Sequence, residues 1–405
     1  MKLLAAADPH VKGAENLDYL EAFYEFAKTR NPDAIALLGD LSEQGIEDPA
    51  VARVHNDLFT RIMPVVERSI PLKYGMILNN LSPYQVICQT PAIAEYIAKI
   101  SPHGWHERWK GVAQSYLEIL SLISHEMRLS YIPIADVLKT QRSKTLVIPG
   151  NKDLDLETTV MKEADVHKQS RIIKGFKLSG YGGAARSDGM PLPKGCPSEL
   201  TASFNEFPSM NWAEREGDVG SAEPVLVSEP RDFLGEEEPD IALLHTPLYG
   251  ILDVPEALQK GEVPEGHFGD VHFGSPGILE YARTGKTRLF LAGHTHVAGL
   301  QEVRAEGGRL VVALSPGCLG KTEVEGGNFA EIELNDETKE MDVARFYQIM
   351  PHTMAVVPTA LYIRRGRVID PIAVTSVMPP AGGRILTTDE MVFNAARAAL
   401  IEIGR

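Results

Sequence analysis

The chain has 405 residues, of which 44% are hydrophobic and 23% charged, proportions typical of a folded protein with a large core. Lys and Arg total 40 against 55 Asp and Glu, so the net charge is −15, which argues against a surface that neutralises the phosphates of a long nucleic acid. The three cysteines, Cys88, Cys196 and Cys318, are far apart and odd in number, so no disulfide framework is indicated.

The sequence shows no targeting or membrane segment. The first apolar run extends only from Leu3 to Ala7 before it meets Asp8, which is too short for a signal peptide. No window approaches the roughly 18 apolar residues of a membrane span. We therefore expect a cytoplasmic protein that does not associate with membranes.

The chain begins with a strand–helix–strand unit. Residues 2–7 (KLLAAA) form a short apolar run, residues 17–27 place apolar side chains at helical spacing, and residues 34–38 (AIALL) are typical of a buried strand. This order favours parallel pairing of the two strands through a right-handed crossover.

Residues 45–143 differ in character from the segments around them. Their apolar residues recur at helical spacing, and a strong strand pattern returns only at Thr145. We predict a mostly helical insertion, or cap, between two strands of the main sheet.

Strands dominate the rest of the chain. They are predicted at residues 145–149, 171–179, 241–244, 288–292, 309–314, 328–334 and 341–348. Residues 186–240, rich in Gly, Pro and Glu, are predicted to be long surface loops with a little helix. After Pro351 we predict short strands and a closing amphipathic helix at 389–403, which together form a C-terminal extension, residues 351–405.

Polar side chains follow five of the predicted strands, at the point where each strand ends. In chain order these are Asp8 and His10, Asp40, Asn151 with Lys152 and Asp153, His245, and finally His294 and His296. Each ending alone is typical of a turn or of a hydrogen-bonded core histidine. Because the carboxyl ends of strands line the ligand crevice of α/β sheets, the five together predict a metal site.

The ordered set resembles the calcineurin-like metallophosphoesterase superfamily, whose motifs run D-x-H, G-D, G-N-H-D/E, H and G-H-x-H. The resemblance spans about residues 1–350, the expected catalytic domain, with the cap 45–143 and the extension 351–405 outside it. It implies an α/β fold of two mixed β-sheets packed as a sandwich and flanked by helices. It also implies two metal ions, with Asp8, His10 and His296 on one, Asn151, His245 and His294 on the other, and Asp40 bridging both.

Mixed imidazole and carboxylate ligands suit borderline divalent ions better than Ca²⁺, and we expect Mn²⁺, with Fe²⁺, Zn²⁺ or Ni²⁺ as alternatives. Two such ions, about 3.5–4 Å apart, lower the pKa of a shared water and clamp the oxygens of an in-line displacement. The resemblance therefore implies hydrolysis of phosphate esters, diesters or anhydrides by a metal-bridging hydroxide. The expected partner is a small phosphorylated substrate such as a nucleotide.

Lys152 stands where the family usually has a histidine that assists the leaving group. A free lysine has a pKa of about 10.4 and is a poor proton donor at pH 7. We predict that Lys152 is an electrostatic clamp on a developing anionic oxygen, oriented by Asp153, with Asn151 and His10 as the other catalytic residues. A simple ion pair of Lys152 with Asp153 is the alternative. The UDP-diacylglucosamine pyrophosphatases are similar in having a basic residue here (G-N-R-D).

Further residues and functions stay open. Arg186, after the Gly-rich stretch 180–183, and His272, before a helix start, are predicted substrate contacts, although each also suits a surface position. Cys318 is expected to be a packed thiol, because no base is adjacent in sequence. Two alternative functions are a DNA nuclease of the same superfamily, disfavoured by the net charge, and a catalytically silent scaffold, disfavoured by the complete set of seven ligands.

Overall fold

The structure is a computed structural model that describes residues 1–12, 16–42, 125–185, 203–211, 223–255, 272–320, 327–365 and 368–372, except for residues 126 and 205. Arg186, most of the cap 45–143 and the closing helix 389–403 lie outside these described residues. Within them, no helix is both long enough and apolar enough to cross a bilayer.

Strands predominate in the described residues. In chain order they are β1 (Lys2–Ala6), β2 (Ala34–Leu38), β3 (Thr145–Ile148), β4 (Gln169–Ile173), β5 (Phe176–Tyr181), β6 (Ala184–Ala185), β7 (Ser203–Phe204), β8 (Glu206–Asn211), β9 (Glu223–Ser228), β10 (Ile241–Leu244), β11 (Leu289–Leu291), β12 (Ala298–Arg304), β13 (Leu310–Pro316), β14 (Gly327–Leu334), β15 (Met341–Ile349), β16 (Val356–Arg365) and β17 (Val368–Ile372). The described helices are α1 (Leu17–Arg30), α2 (residues 127–138), α3 (Glu229–Glu237) and α4 (Pro276–Thr284).

Two large sheets are built from these strands. Over the described residues, the first sheet has the order β17-β16-β15-β14-β1-β2-β3, with β1, β2 and β3 parallel and the others antiparallel. The second has the order β12-β13-β11-β10-β5-β4, with parallel pairing from β13 to β5 and antiparallel edge strands. Both sheets are mixed, as predicted.

Three apolar clusters show how the sheets and helices are layered. One cluster lies between the sheets, where Leu38 and Ile148 of the first sheet join Leu243 and Leu291 of the second. Another covers the outer face of the first sheet with α1 and α2. The third covers the outer face of the second sheet with α3 and α4. The predicted sandwich of two mixed sheets flanked by helices is therefore confirmed.

The central strands form where the sequence predicts them because their apolar runs are continuous. All five residues of β2 and all four of β10 are buried, as expected for parallel strands that are covered on both faces. Helix α1 buries side chains at helical spacing, among them Leu20, Phe23 and Tyr24, and ends at Asn31 in a left-handed cap.

The prediction of a single strand at residues 171–179 is wrong, because the chain forms a hairpin of β4 and β5 there. Lys174 and Gly175 have φ values of 52° and 78°, the left-handed pair that a two-residue hairpin turn requires. The Lys174–Gly175 pair is the sequence feature that indicates this turn.

Other strands were missed because they lack a strong apolar pattern. The segment predicted as loops contains the antiparallel pair of β8 and β9, and the mostly unburied edge strand β12 was not predicted.

Strands β16 and β17 pair onto β15, so residues 356–372 of the predicted extension complete the first sheet.

Candidate metal centre

The five predicted strand ends meet at one edge of the sandwich. Backbone hydrogen bonds join the loops directly: the Asp8 amide donates to the Gly39 carbonyl at 3.0 Å, and the Gly293 amide donates to the His245 carbonyl at 3.0 Å. The first bond joins two loops of the first sheet and the second joins two loops of the second sheet, while the 2.8 Å contact of His245 Nδ1 with the Leu38 carbonyl connects the two sheets. Side chains that are far apart in sequence therefore lie in one pocket.

Asp8, Asp40 and His245 form a buried group whose ligand atoms lie within 4.8 Å of one another. His245 Nε2 is 3.6 Å from Asp40 Oδ1 and 2.9 Å from Asn151 Oδ1. The other nitrogen, Nδ1, is 2.8 Å from the Leu38 carbonyl, which fixes the proton on Nδ1. This arrangement leaves the Nε2 lone pair for a metal, as in known metal-binding histidines.

The imidazoles of His294 and His245 lie edge to face, with their ring centroids 4.9 Å apart. The His294 amide donates to the Asp8 carboxylate at 2.9 Å. His294 is therefore held in the same cluster.

His10, His296 and Cys318 form a second group. The Nε2 atoms of His10 and His296 are 3.0 Å apart, and the buried Nδ1 of His10 has no hydrogen-bond partner among the described residues. A buried polar atom without a partner is costly unless something else binds the ring. The Cys318 thiol donates to the Asp8 carbonyl at 3.1 Å, so this residue, predicted to be a packed thiol, lies beside the predicted ligands.

The electrostatics of the cluster favour a bound cation. Burial, followed by the nearby charge of Asp40, raises the pKa of the Asp8 carboxyl well above its usual value. Burial lowers the pKa of His245 to about 4, and holds the pKa values of His10 and His294 well below the usual range. The rings are therefore neutral at pH 7, and crowded carboxylates without a cation would be unfavourable.

The backbone at the site is strained. Five predicted ligands have positive φ values: Asp8 at 52°, His10 at 46°, Asp40 at 48°, His294 at 72° and His296 at 62°. Non-glycine residues in this region cost on the order of 1 kcal/mol or more each, and such strain concentrates at functional sites. Its coincidence with the predicted ligands indicates that the cluster serves function rather than stability.

Asp153 lies beneath the loops that carry Asp40 and Asn151. Its buried carboxylate accepts hydrogen bonds from the Leu41 amide, from the Gly150 amide at 2.7 Å and from the Tyr131 hydroxyl at 2.8 Å. Burial, followed by the charge of Asp40, raises its pKa to about 7. These contacts suit a residue that holds the two loops together.

Lys152 has an exposed side chain at the rim of the pocket, and its backbone amide donates to Asp40 at 2.9 Å. Helix α2, which lies within the predicted cap segment 45–143, contacts the same loops. In addition to the bond from Tyr131, the Ser130 hydroxyl lies 2.6 Å from the Ser42 hydroxyl. The described end of the cap is thus fastened to the site.

The residues present fit divalent metal ions. Three features favour a bound cation. They are the Nδ1 of His10, which has no partner among the described residues, the fixed tautomer of His245, and the crowded carboxylates of Asp8 and Asp40. The structure brings all seven predicted ligands together. The assignment of each ligand to one ion stays a prediction, and so do the roles of Lys152 and Asp153.

A scan against protein-family models gives no match for the chain, and a search of curated proteins gives none. Among solved structures, the chain is similar to TT1561 of Thermus thermophilus, with 16% identity, a TM-score of 0.40 and coverage of 84% of this chain and 96% of that one. It is also similar to the NAD nucleotidase NadN of Haemophilus influenzae, with 8% identity, a TM-score of 0.31 and coverage of 98% of this chain and 62% of that one. A dimetal phosphatase from Danio rerio is similar with 9% identity, a TM-score of 0.34 and coverage of 85% of this chain and 95% of that one. At these identities the likeness does not extend to an activity.

Proposed function

We propose that this protein is a metallophosphoesterase of the calcineurin-like type, which uses two divalent metal ions to hydrolyse a small phosphate ester, diester or anhydride. One observation carries the proposal: seven side chains competent to bind metal, from five strand ends of two sheets, converge in one pocket. Such a cluster of crowded carboxylates and neutral imidazoles destabilises the fold unless cations offset it.

Asp8, His10 and His296 would hold one ion, Asn151, His245 and His294 would hold the other, and Asp40 would bind both. Bound ions supply an activated water at neutral pH and positive charge for the phosphoryl oxygens. We propose Mn²⁺, with Fe²⁺, Zn²⁺ or Ni²⁺ as alternatives, because the donor set mixes nitrogen and oxygen.

The protein contributes orientation and charge around that centre. The bond from His245 Nδ1 to the Leu38 carbonyl holds that ring in place, and Asp153 holds the loops of Asp40 and Asn151 at a fixed separation. Lys152 at the rim adds a positive charge that attracts an anionic substrate. We propose a nucleotide or similar phosphorylated metabolite as the substrate, since a net charge of −15 disfavours long nucleic acids.

Metal reconstitution tests the function. The purified protein would be stripped with a chelator and reloaded with Mn²⁺, Fe²⁺, Zn²⁺ or Ni²⁺, and then assayed on nitrophenyl phosphates, bis(4-nitrophenyl) phosphate and nucleotides. We expect about two ions per chain and hydrolysis that the chelator abolishes. Less than one ion per chain with no hydrolysis would favour a scaffold, and cleavage of single-stranded DNA with Mn²⁺ would favour a nuclease.

Lys152→Ala should lower kcat/KM by about 10²-fold, because the variant loses a positive charge near the developing anionic oxygen. Lys152→Arg should retain most of the activity, since it keeps the charge. Steady-state kinetics at full metal occupancy measure both effects. Lys162→Ala removes another exposed lysine charge, one that pairs with Glu157, and serves as the control. Full activity in Lys152→Ala would show that the lysine has no part in the reaction.

A further inference from the structure

Asp253 and His272 form a hydrogen-bonded pair beside the candidate metal centre. His272 Nδ1 lies 2.9 Å from Asp253 Oδ1, and the carboxylate is almost fully buried whereas the imidazole is 32% exposed. Asp253 Oδ2 accepts from the Gly250 amide at 2.7 Å and from the Gly274 amide at 3.3 Å. The carboxylate is therefore fixed, and it holds an imidazole that solvent reaches.

The pair is fastened to the loop that carries two predicted metal ligands. The Thr295 hydroxyl, between His294 and His296, donates to the Leu252 carbonyl at 2.8 Å, one residue before Asp253. On the other side, the Phe273 ring lies 6.1 Å from the His294 ring. Asp253 and His272 each follow or precede a residue that contacts the Gly-His-Thr-His loop, so the segments that carry the pair lie against that loop.

A purely structural role does not explain the pair. The two segments that carry Asp253 and His272 are already joined by backbone hydrogen bonds, from Phe273 to Asp253 at 2.9 Å and from Ser275 to Pro247 at 2.9 Å. The side-chain bond adds little to that connection. What it does add is a fixed orientation and a proton on Nδ1, which is how carboxylates prepare histidines for proton transfer.

The proposed hydrolysis needs a proton donor for the leaving group. Lys152, and not an imidazole, occupies the position after Asn151. A substrate with a basic leaving group needs a proton donor as the bond to phosphorus breaks. An imidazole is suited to this at neutral pH.

We propose that His272, held by Asp253, donates a proton to the leaving group in the hydrolysis proposed above, on which this inference rests. The bond between phosphorus and the leaving oxygen breaks, and its electron pair stays on that oxygen. The proton on Nε2 of His272 moves to the oxygen, while the oxygen of water bonds to phosphorus and one proton of that water passes to solvent. The neutral ring regains a proton from solvent. Asp253 is a positioning residue.

The test is a series of phosphate esters whose leaving groups range from 4-nitrophenol to unactivated alcohols. His272→Ala should lose about 10²-fold in kcat on the esters with the poorest leaving groups and little on the nitrophenyl ester. Imidazole in the buffer should restore part of this loss. Asp253→Asn should show the same trend with a smaller loss, because the ring remains but is less well oriented. His272→Gln, which keeps a donor towards Asp253, is the second variant should the alanine variant fold poorly.

Controls separate this inference from the proposed function. Metal content per chain should match wild type in each variant, and His352→Ala, which removes an exposed histidine elsewhere, should be neutral. An equal loss across the whole series, or no loss, in an active enzyme would overturn the role of His272 alone. A metal-loaded wild type that hydrolyses none of the esters would overturn both proposals.

Discussion

Replacing Asp40 with asparagine should abolish binding of the proposed metal ions and lower the proposed phosphoesterase activity on the order of 10³-fold or more, since a metal ion supplies several kcal/mol of charge stabilisation. Asp40 is the predicted bridge, and a neutral amide cannot compensate two cations. The change keeps the size of the side chain and an acceptor for the Lys152 amide. Metal content per chain and kcat/KM are the two measurements.

The same variant, although it should lose activity, should not lose stability when the protein is free of metal. The charge of Asp40 adds to burial in raising the pKa of Asp8, which reports repulsion between the two carboxylates. Its removal should leave the metal-free Tm unchanged or higher. Asp342→Asn removes an exposed charge from β15 and is the matched control. Two ions still bound to the Asp40 variant would contradict the bridging role.

Gly150→Ala should lower stability and weaken metal binding, although glycine carries no functional group. A Cβ at this position would overlap the backbone nitrogen and the carboxylate of Asp40, and Gly39 packs closely against the backbone of Gly150. Backbone atoms cannot move aside without displacing Asp40. We expect a loss of about 1–3 kcal/mol in the free energy of unfolding, as for overpacked cores, together with weaker metal binding.

Gly235→Ala is the control for that change. A Cβ at Gly235, within α3, meets no atom of the described residues within 4 Å, so alanine should stabilise the helix by roughly 0.5–1 kcal/mol. Denaturant unfolding and metal titration of the two variants should therefore give effects of opposite sign. A Gly150→Ala protein with wild-type metal affinity and Tm would show that the strand ends tolerate separation.

Four of the elements that the sequence predicts correctly share one property. Strands β1, β2, β3 and β10 are buried parallel strands, so they appear as short continuous apolar runs that end at turn residues. Elements with mixed faces were harder to predict. Strand β12 alternates weakly and lies at a sheet edge, and the hairpin of β4 and β5 depends on the left-handed turn at Lys174 and Gly175.

For the site, the residue types and their order after the strands were sufficient to predict that these side chains cluster, because parallel strands with their carboxyl ends at one edge bring such residues together. Contacts between segments without a motif could not be predicted. The bond from Tyr131 to Asp153, the position of Cys318 beside His10, and the pairing of Asp253 with His272 arise only when loops pack against one another. Local sequence patterns specify where the buried parallel strands form and which polar residues stand at their ends, whereas edge strands and side-chain partners across loops depend on the packing of the two sheets.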